Sequence, residues 1–334
     1  MFCKASPPIE LSVVKLGPDT YQLGSKFVCE KTIHGVPANT TNWADNNESY
    51  YLREITEKES SAEKEEITDF VYQAGTGSAV FAIGSNVICK VKTWCEGMEL
   101  ESETLAFVAA NFPYIPIPEV VDSWLDREQN RTFLLMKRVN AQTLDKAWPS
   151  LSLGQKHQIA TTIARYLRGL ATLQSPFFQS ATGRVLREPF LKVDAEGSHP
   201  SWKPHLIGPF SLPTFRSYLK RISQLPVPTV GDVFYFYHAD LGPTNILASD
   251  DGQVRAVLDW ESAGFYPRLW ISLKPHISAG FYLDRSVTTN RCEWVEILED
   301  KLSALGFKLY RKHVEWEKNL DLRFFDINKF LAKD

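Results

Sequence analysis

No stretch of the chain approaches the roughly 20 apolar residues that a membrane-spanning helix needs. The longest apolar pieces, such as 79–83 and 106–110, are far shorter, and the opening MFCKASPPIELSVVKLGPDTYQLG lacks the apolar core of a secretory signal. Cysteine is scarce: Cys3, Cys29, Cys89, Cys95 and Cys292 are an odd set with no C-x-x-C spacing. That argues against structural zinc and against a secreted disulfide framework, so a reduced cytoplasmic compartment is expected. There is no basic excess, with 37 Lys and Arg against 40 Asp and Glu and a net charge of −3. Nucleic-acid binding and polybasic membrane attachment are therefore not expected. No G-x-x-x-x-G-K-[ST] occurs, which removes the P-loop, and no internal repeat is evident.

What is present is an ordinary globular composition, 44% hydrophobic and 23% charged over 334 residues. That length suggests two domains or lobes. A chain of this size buries roughly three quarters of its unfolded surface, so it needs no staple to be stable. Residues 1–66 read as an extension packed on the rest, ending in a charged run (54–66) expected to be a solvated helix or loop. Short β-branched runs follow at 70–72, 79–83 and 87–91, punctuated by Gly75-Thr-Gly77 and Gly84-Ser-Asn, a pattern of antiparallel strands and hairpins. A helix is predicted over 99–111, with Leu105, Val108 and Phe112 on its inner face and Pro113 at its end. Strands at 120–125 and 132–139 complete a first lobe, 67–139, of five strands and one helix. From 140 to the C-terminus the reading is mainly helical, led by an amphipathic stripe over 153–174, with loops at 175–210. A strand at 233–237 and a hairpin turning at 250–252 interrupt it. The expected fold class is thus α+β, with a small antiparallel β lobe before a larger, mainly helical one.

Three pieces carry chemistry. The first is His238-Ala-Asp240-Leu-Gly-Pro-Thr-Asn245, an H-x-D-x-x-x-x-N arrangement after the strand VFYFY. In phosphoryl-transfer enzymes of the kinase type the Asp accepts the substrate hydroxyl proton and the Asn binds magnesium. Gly242-Pro243 supplies the turn that lets both side chains face one point, and His238 is expected to brace the loop. The second is Asp259 in V-L-D-W-E, one strand, a tight turn and a return strand beyond Asn245. Asn245 and Asp259 together suit Mg2+, which takes hard oxygen donors and usually only one or two carboxylates. The third is Lys90 on the strand VICKV, preceded by Gly75 and Gly77 and followed by a helix bearing Glu101. Such a lysine contacts the phosphates of ATP and such a carboxylate holds it. Lys92 shares the strand face and Glu103 is second to Glu101; Lys90 is preferred for its apolar flanks and Glu101 for the face it shares with Leu105 and Val108. Each signal alone has an ordinary explanation: a hairpin turn, a strand lysine, a solvated glutamate. Their order along the chain points to phosphotransfer. Trp202, Phe265, Tyr266 and Trp270 are candidates for an aromatic acceptor pocket, although core packing explains them better.

HADLGPTNIL followed by VLDWESAGFYPRLW resembles the aminoglycoside phosphotransferase and choline kinase group of protein-kinase-like enzymes, and is especially similar to its fungal phosphotransferase branch. The resemblance spans roughly 70–275, with the interlobe joint at FLLMKRVNAQTLDKAW. It implies a bilobal kinase-like fold, ATP and Mg2+ as cofactors, and a small-molecule hydroxyl as acceptor. It implies Asp240 as catalytic base, Asn245 and Asp259 as metal ligands, and Lys90 and Glu101 at the phosphates. Adenine would lie against the backbone of 136–139, between Met136 and Val139, with Leu247 and Leu258 as apolar neighbours. No Ala-Pro-Glu follows Asp259, which favours a small molecule over a protein as acceptor. Ala239 and Gly242 stand where bacterial drug kinases commonly carry Gly and His, which weakens any claim to antibiotic substrates. The rival readings are a kinase-fold protein that binds nucleotide or metabolite without transfer, and a protein kinase. The oligomeric state and the acceptor's identity are left open by the sequence.

Overall fold

The structure is a computed structural model and describes residues 8–56, 65–67, 70–74, 77–191 and 206–321. Gly75, Trp202 and residues 57–64 of the charged run lie outside the described residues. The chain divides into two compact units. Among the described residues, the first holds those up to Glu96 and Pro118–Arg138, and the second holds Gly97–Ile117 and those from Val139 onward.

The first unit is built from two antiparallel sheets. One has six strands: β1 (Val13–Gly17), β2 (Thr20–Leu23), β3 (Phe27–Thr32), β4 (Asn42–Asp45), β5 (Glu48–Glu54) and β6 (Glu65–Glu66), in the order β4-β5-β3-β2-β1-β6. The other has five: β7 (Tyr72–Ala74), β8 (Ser78–Ile83), β9 (Val87–Thr93), β10 (Val120–Asp126) and β11 (Arg131–Lys137), in the order β10-β11-β9-β8-β7. Period-2 alternation sets the face of each β9 side chain. Val87, Cys89 and Val91 enter one core cluster with Val13, Leu23, Cys29 and Leu52 of the first sheet. Lys90 and Lys92 therefore point to the opposite face. Burial pushes the Cys29 and Cys89 thiols up, so both behave as small apolar core residues. The two sheets are also joined by polar contacts. The Ser85 backbone N–H in the β8–β9 turn donates to Asp45 Oδ2 at 2.7 Å, and Ser25 N–H donates to Asp126 Oδ2 at 2.6 Å.

The second unit opens with α1 (Glu101–Asn111), which lies between β9 and β10 in the chain yet clusters here. Its Leu105 and Val108 are buried, and Phe107 meets Phe236 and Phe265 at centroid distances of 5.0 and 6.4 Å. Then come β12 (Gln142–Thr143), α2 (Leu144–Ala147) and α3 (Leu153–Leu170). Ser152 caps α3 in a reciprocal box with Gln155, and Ile159, Ile163, Leu167 and Leu170 form its buried stripe. The helix stops at Leu170, short of the expected 174, because Gln174–Ser175 pairs as a strand with Ser175 opposite Phe234. Further on lie β13 (Gln174–Ser175), β14 (Phe177–Ser180), β15 (Phe210–Ser211), α4 (Leu212–Ile222), β16 (Phe234–Tyr237), β17 (Ile246–Ala248), β18 (Val254–Val257) and β19 (Gly264–Tyr266). Helices α5 (Trp270–Ile277), α6 (Glu293–Ala304) and α7 (Arg311–Lys318) follow.

Alongside its helices this unit holds more sheet than the sequence suggests. It carries a three-stranded sheet, β12-β17-β18, and a five-stranded one, β13-β16-β19-β14-β15. The segment expected to be loop contributes strands because Phe177, Phe178 and Phe210 are aromatic. Phe178 is fully buried, against Phe215 at 4.8 Å and Tyr266 at 5.4 Å. The fold as a whole is α+β with substantial sheet.

Candidate active site

The centre of the second unit is a loop that a strand, a turn and a hairpin hold from both ends. Strand β16 (Phe-Tyr-Phe-Tyr) is pinned between β13 and β19, and it delivers His238, Ala239 and Asp240 at its C-terminal end. His238 is fully buried. Its Nε2 lies 2.9 Å from the Leu258 carbonyl oxygen, and the Asp240 backbone N–H reaches its Nδ1 at 3.2 Å. An Nδ1 that accepts places the ring proton on Nε2, which then donates to Leu258. The imidazole thus ties the loop before Asp240 to the segment between β18 and Asp259, and its ring packs 4.5 Å from Trp260.

A short helical turn, Pro243–Asn245, carries the chain from Asp240 into β17. The Asn245 amide donates from Nδ2 to the Asp240 carbonyl at 2.7 Å, with Asp240 Oδ2 at 3.4 Å. This leaves Oδ1 as the acceptor end of Asn245. The β17–β18 hairpin pairs Ile246 with Val257, and the Leu258 N–H closes it onto the Asn245 carbonyl at 2.8 Å. Asp259 follows directly, at φ +61°, and starts the turn Trp260–Ser262. Ala239, on the other side of the loop, sits at φ +66°. One left-handed residue thus precedes the first carboxylate and the other bears the second, a backbone held in place by its surroundings.

Glu101, at the first turn of α1, accepts the Trp260 backbone N–H at 3.1 Å on its Oε1. Its neighbours are engaged elsewhere. Glu103 accepts the Leu100 N–H and pairs with Arg184 at 2.9 Å, while Glu99 accepts from Thr104, Ser180 and Thr182. Of the acidic residues at this helix start, Glu101 is the one bound beside Asp259. Glu261, the last of the D-W-E triplet, pairs with Arg187 at 3.0 Å. Behind the loop, burial, with Glu188 and Asp240 adding to it, holds the Tyr237 phenol well above its ordinary range. Tyr266 is raised by the same causes, with Tyr237 adding, so both phenols stay neutral.

In the first unit, Lys90 and Lys92 are equally buried on one face of β9 (8% exposed each), so burial does not choose between them. Gly77 receives the Thr93 N–H at 3.0 Å. Met136 is buried near the end of β11, and the Arg138 N–H that follows donates to the Asn86 carbonyl at 2.7 Å. Val139 belongs to the second unit and is half-buried, as is Leu258, while Leu247 is buried in β17. The aromatic candidates Phe265, Tyr266 and Trp270 are core residues: the Tyr266 hydroxyl donates to Ser262, and the Trp270 indole donates to the buried carboxylate of Glu188.

Among the described residues, no group of three or more His, Cys, Asp or Glu is arranged to hold a metal. Asn245 and Asp259 offer one amide oxygen and one carboxylate. That donor set fits Mg2+, which completes its octahedron with water and phosphate oxygens, and is too sparse for a structural zinc. Sequence reasoning missed Gly280. An added Cβ there would lie 3.4 Å from Asp240 Oδ1, and a glycine in an apolar stretch gives no sign of that proximity.

Three residues past the end of β16 lies Asp240, Asn245 follows five residues on, and the β17–β18 hairpin returns the chain to Asp259. Residues 89–270, more than half the chain, match the phosphotransferase enzyme family (APH), and the chain belongs to that family. No curated protein matches it. Solved structures similar to it include an aminoglycoside-3'-phosphotransferase of type VIII, at 17% identity and TM-score 0.45 over 77% of this chain and 92% of that one. Aminoglycoside phosphotransferase APH(3'')-Id from Streptomyces rimosus is 19% identical, with TM-score 0.45 over 76% and 91%. A thermostable mutant of APH(4)-Ia, in ternary complex with AMP-PNP and hygromycin B, is 18% identical, with TM-score 0.42 over 75% and 80%. Among the described residues no helix is long and apolar enough to cross a membrane.

Proposed function

We propose that this protein is an ATP- and Mg2+-dependent phosphotransferase that phosphorylates a hydroxyl of a small molecule. Asp240 orients the acceptor and takes its proton, and Asn245 and Asp259 are the metal ligands. Bound there, Mg2+ would neutralise charge on the phosphates. Lys90 is the phosphate contact, with Gly77 and Gly75 in the turn before it; Lys92 is its alternative. Met136, Val139, Leu247 and Leu258 are assigned to the adenine. Glu101 fixes the backbone that carries Asp259, and His238 fixes the loop that carries Asp240. In this reading residues 67–139 are the small lobe of a kinase-like fold, with 1–66 an extension packed on the fold, and residues 140–334 are the large lobe.

The observation that carries the proposal is the link through His238 and Asn245. It binds Asp240 to the Asn245 amide at 2.7 Å and places Asp259 one residue beyond the Leu258 N–H, which is itself bound to Asn245. The main chain beside each carboxylate is thereby fixed by short side chains and by the hairpin, the preorganisation that positioned proton transfer requires.

The test is mass-spectrometric screening of metabolite extracts incubated with ATP and Mg2+, reading the gain of a phosphoryl group. Asp240→Asn is expected to lower turnover by about 10²- to 10⁴-fold, the usual worth of a general base. It should keep stabilisation by MgATP in a melting assay. Transfer at the wild-type rate in that variant removes Asp240 from the mechanism. Melting that shifts with a metabolite but not with MgATP, and no transfer, establishes a binding protein instead.

A further inference from the structure

The two oxygens of the Asp240 carboxylate face different neighbours. Oδ2 lies 3.4 Å from the Asn245 amide nitrogen, on the side of the proposed metal ligands. Oδ1 lies 3.4 Å from the point that a Cβ on Gly280 would occupy. Gly280 is the middle of a tight turn, Ala279–Phe281, that follows α5. Ala279 and Gly280 are exposed, Ser278 and Phe281 are buried, and Asp240 is half-buried. Oδ1 and Gly280 therefore meet at the accessible rim of the site.

Nothing in the backbone demands glycine at 280. Its φ lies outside the left-handed region, and an added Cβ would meet only Asp240 Oδ1 at 3.4 Å and Ser278 Oγ at 3.5 Å, both ordinary contacts. Gly242 is the opposite case. A Cβ there would fall 2.0 Å from the Gly280 carbonyl oxygen and 2.8 Å from its carbon. The turn is thus seated against the catalytic loop, backbone on backbone, and position 242 has no room for a side chain. That contact fixes Gly280 in place beside the carboxylate, so the space it leaves is a built feature of the loop.

We propose that Gly280 keeps open the approach to Asp240 Oδ1, and that this oxygen receives the proton of an acceptor whose reactive hydroxyl sits on a slim, uncharged part of the molecule. The proposal rests on the phosphotransferase reading and deepens it. The wall that Ser278, Ala279, Gly280 and Phe281 present has no ionisable side chain, so it offers nothing to pair with an ammonium group next to the reacting oxygen. The preceding His276 is engaged with Glu299 at 3.2 Å. In the step, the acceptor O–H proton passes to Asp240 Oδ1 and the acceptor oxygen bonds to the γ-phosphorus of ATP. The bond from that phosphorus to the β-phosphate bridging oxygen breaks, and ADP leaves with its electron pair.

The experiment compares wild type with Gly280→Ala and Gly280→Val for transfer of labelled phosphate from ATP. The probes are glycerol, inositol and a whole-cell metabolite extract, with kanamycin as the polycationic comparison. Labelled product is expected from the uncharged hydroxyls. Gly280→Ala should lower kcat/KM for the acceptor by about 10- to 200-fold, the worth of one misplaced methylene in a pocket, and Gly280→Val by more. Stabilisation by MgATP in the melting assay should persist in both variants, which shows that they fold and bind nucleotide. Gly242→Ala, which drives a methyl into the Gly280 carbonyl, should instead lower the melting temperature. Undiminished acceptor kcat/KM in Gly280→Val overturns the gate while leaving the phosphotransferase reading intact. Product from kanamycin alone overturns the uncharged acceptor. A wild type that yields no product from any probe and is not stabilised by MgATP overturns the phosphotransferase reading, and the gate with it.

Discussion

The backbone N–H of Trp260 donates to the Glu101 carboxylate at 3.1 Å, joining the first turn of α1 to the residue that follows Asp259 across 159 positions of sequence. This bond holds the left-handed turn at Asp259 in place. Glu101→Ala removes the acceptor and should loosen Asp259. With Asp259 as the proposed Mg2+ ligand, the expected loss in Mg2+ affinity is about 10- to 100-fold, the range seen when a ligand's supporting partner is removed. Glu101→Gln keeps an oxygen for the same N–H and should lose much less. Titration of Mg2+ against MgATP-dependent melting distinguishes the two variants, and equal behaviour would show that the bond does not support the metal site.

Ala239 is fully buried at φ +66°, immediately before Asp240. A left-handed backbone costs an L-residue roughly 1–2 kcal/mol, and a β-branched one is a true outlier there. Ala239→Val should therefore destabilise by more than about 2 kcal/mol, combining that strain with overpacking. Ala239→Gly relieves the strain but loses a buried methyl and gains unfolded-state entropy, so it should stay within about 1 kcal/mol of wild type. Urea denaturation of both variants measures the difference.

Glu293, at the start of α6, accepts the Trp148 indole N–H at 2.8 Å and the Lys156 ammonium at 3.0 Å. Burial acts to raise its pKa, but these two hydrogen bonds and the Lys156 charge outweigh it, and the carboxyl ends below its ordinary value. A depressed carboxylate stabilises the fold above its unfolded-state pKa, about 4.3. That contribution is lost as pH falls through the lower, folded-state value. Glu293→Gln should cost about 1 kcal/mol at pH 7, and the gap to wild type should close in acid. Melting temperatures across pH 3–7 provide the check; a constant gap would mean that Glu293 acts through packing alone.

Local signals in the sequence were strong where one residue type had one reason to be present. The H-x-D-x-x-x-x-N loop, the turn at 250–252 and the stripe on α3 are each made of residues close together in sequence, so spacing alone reveals each of them. The structure places Asn245 beside Asp240, and sets Asp259 at the mouth of the hairpin. Glu101 shares a helix face with Leu105 and Val108, which the sequence shows, but its bond to Trp260 depends on a contact that no periodicity encodes. The strands at Phe177–Ser180 and Phe210–Ser211 were hidden because short aromatic pieces among Pro, Gly and Ser read as loop until a distant partner pairs with them. The six-stranded sheet before residue 67 was hidden for a similar reason: its strands match one another and the buried face of β9, and both are long-range facts. Gly280 carried no signal at all, since a residue that acts by leaving space has no chemistry to display.

Cys89, where the family match begins, lies in the middle of β9, and its thiol is enclosed by Leu52, Cys29 and other side chains from the N-terminal sheet. A fragment cut at the family boundary would split that strand and bare the greasy side of the sheet whose other side carries Lys90. Residues 13–54 are thus the cover over the apolar side of that sheet, and deleting them would leave Val87, Cys89 and Val91 open to water.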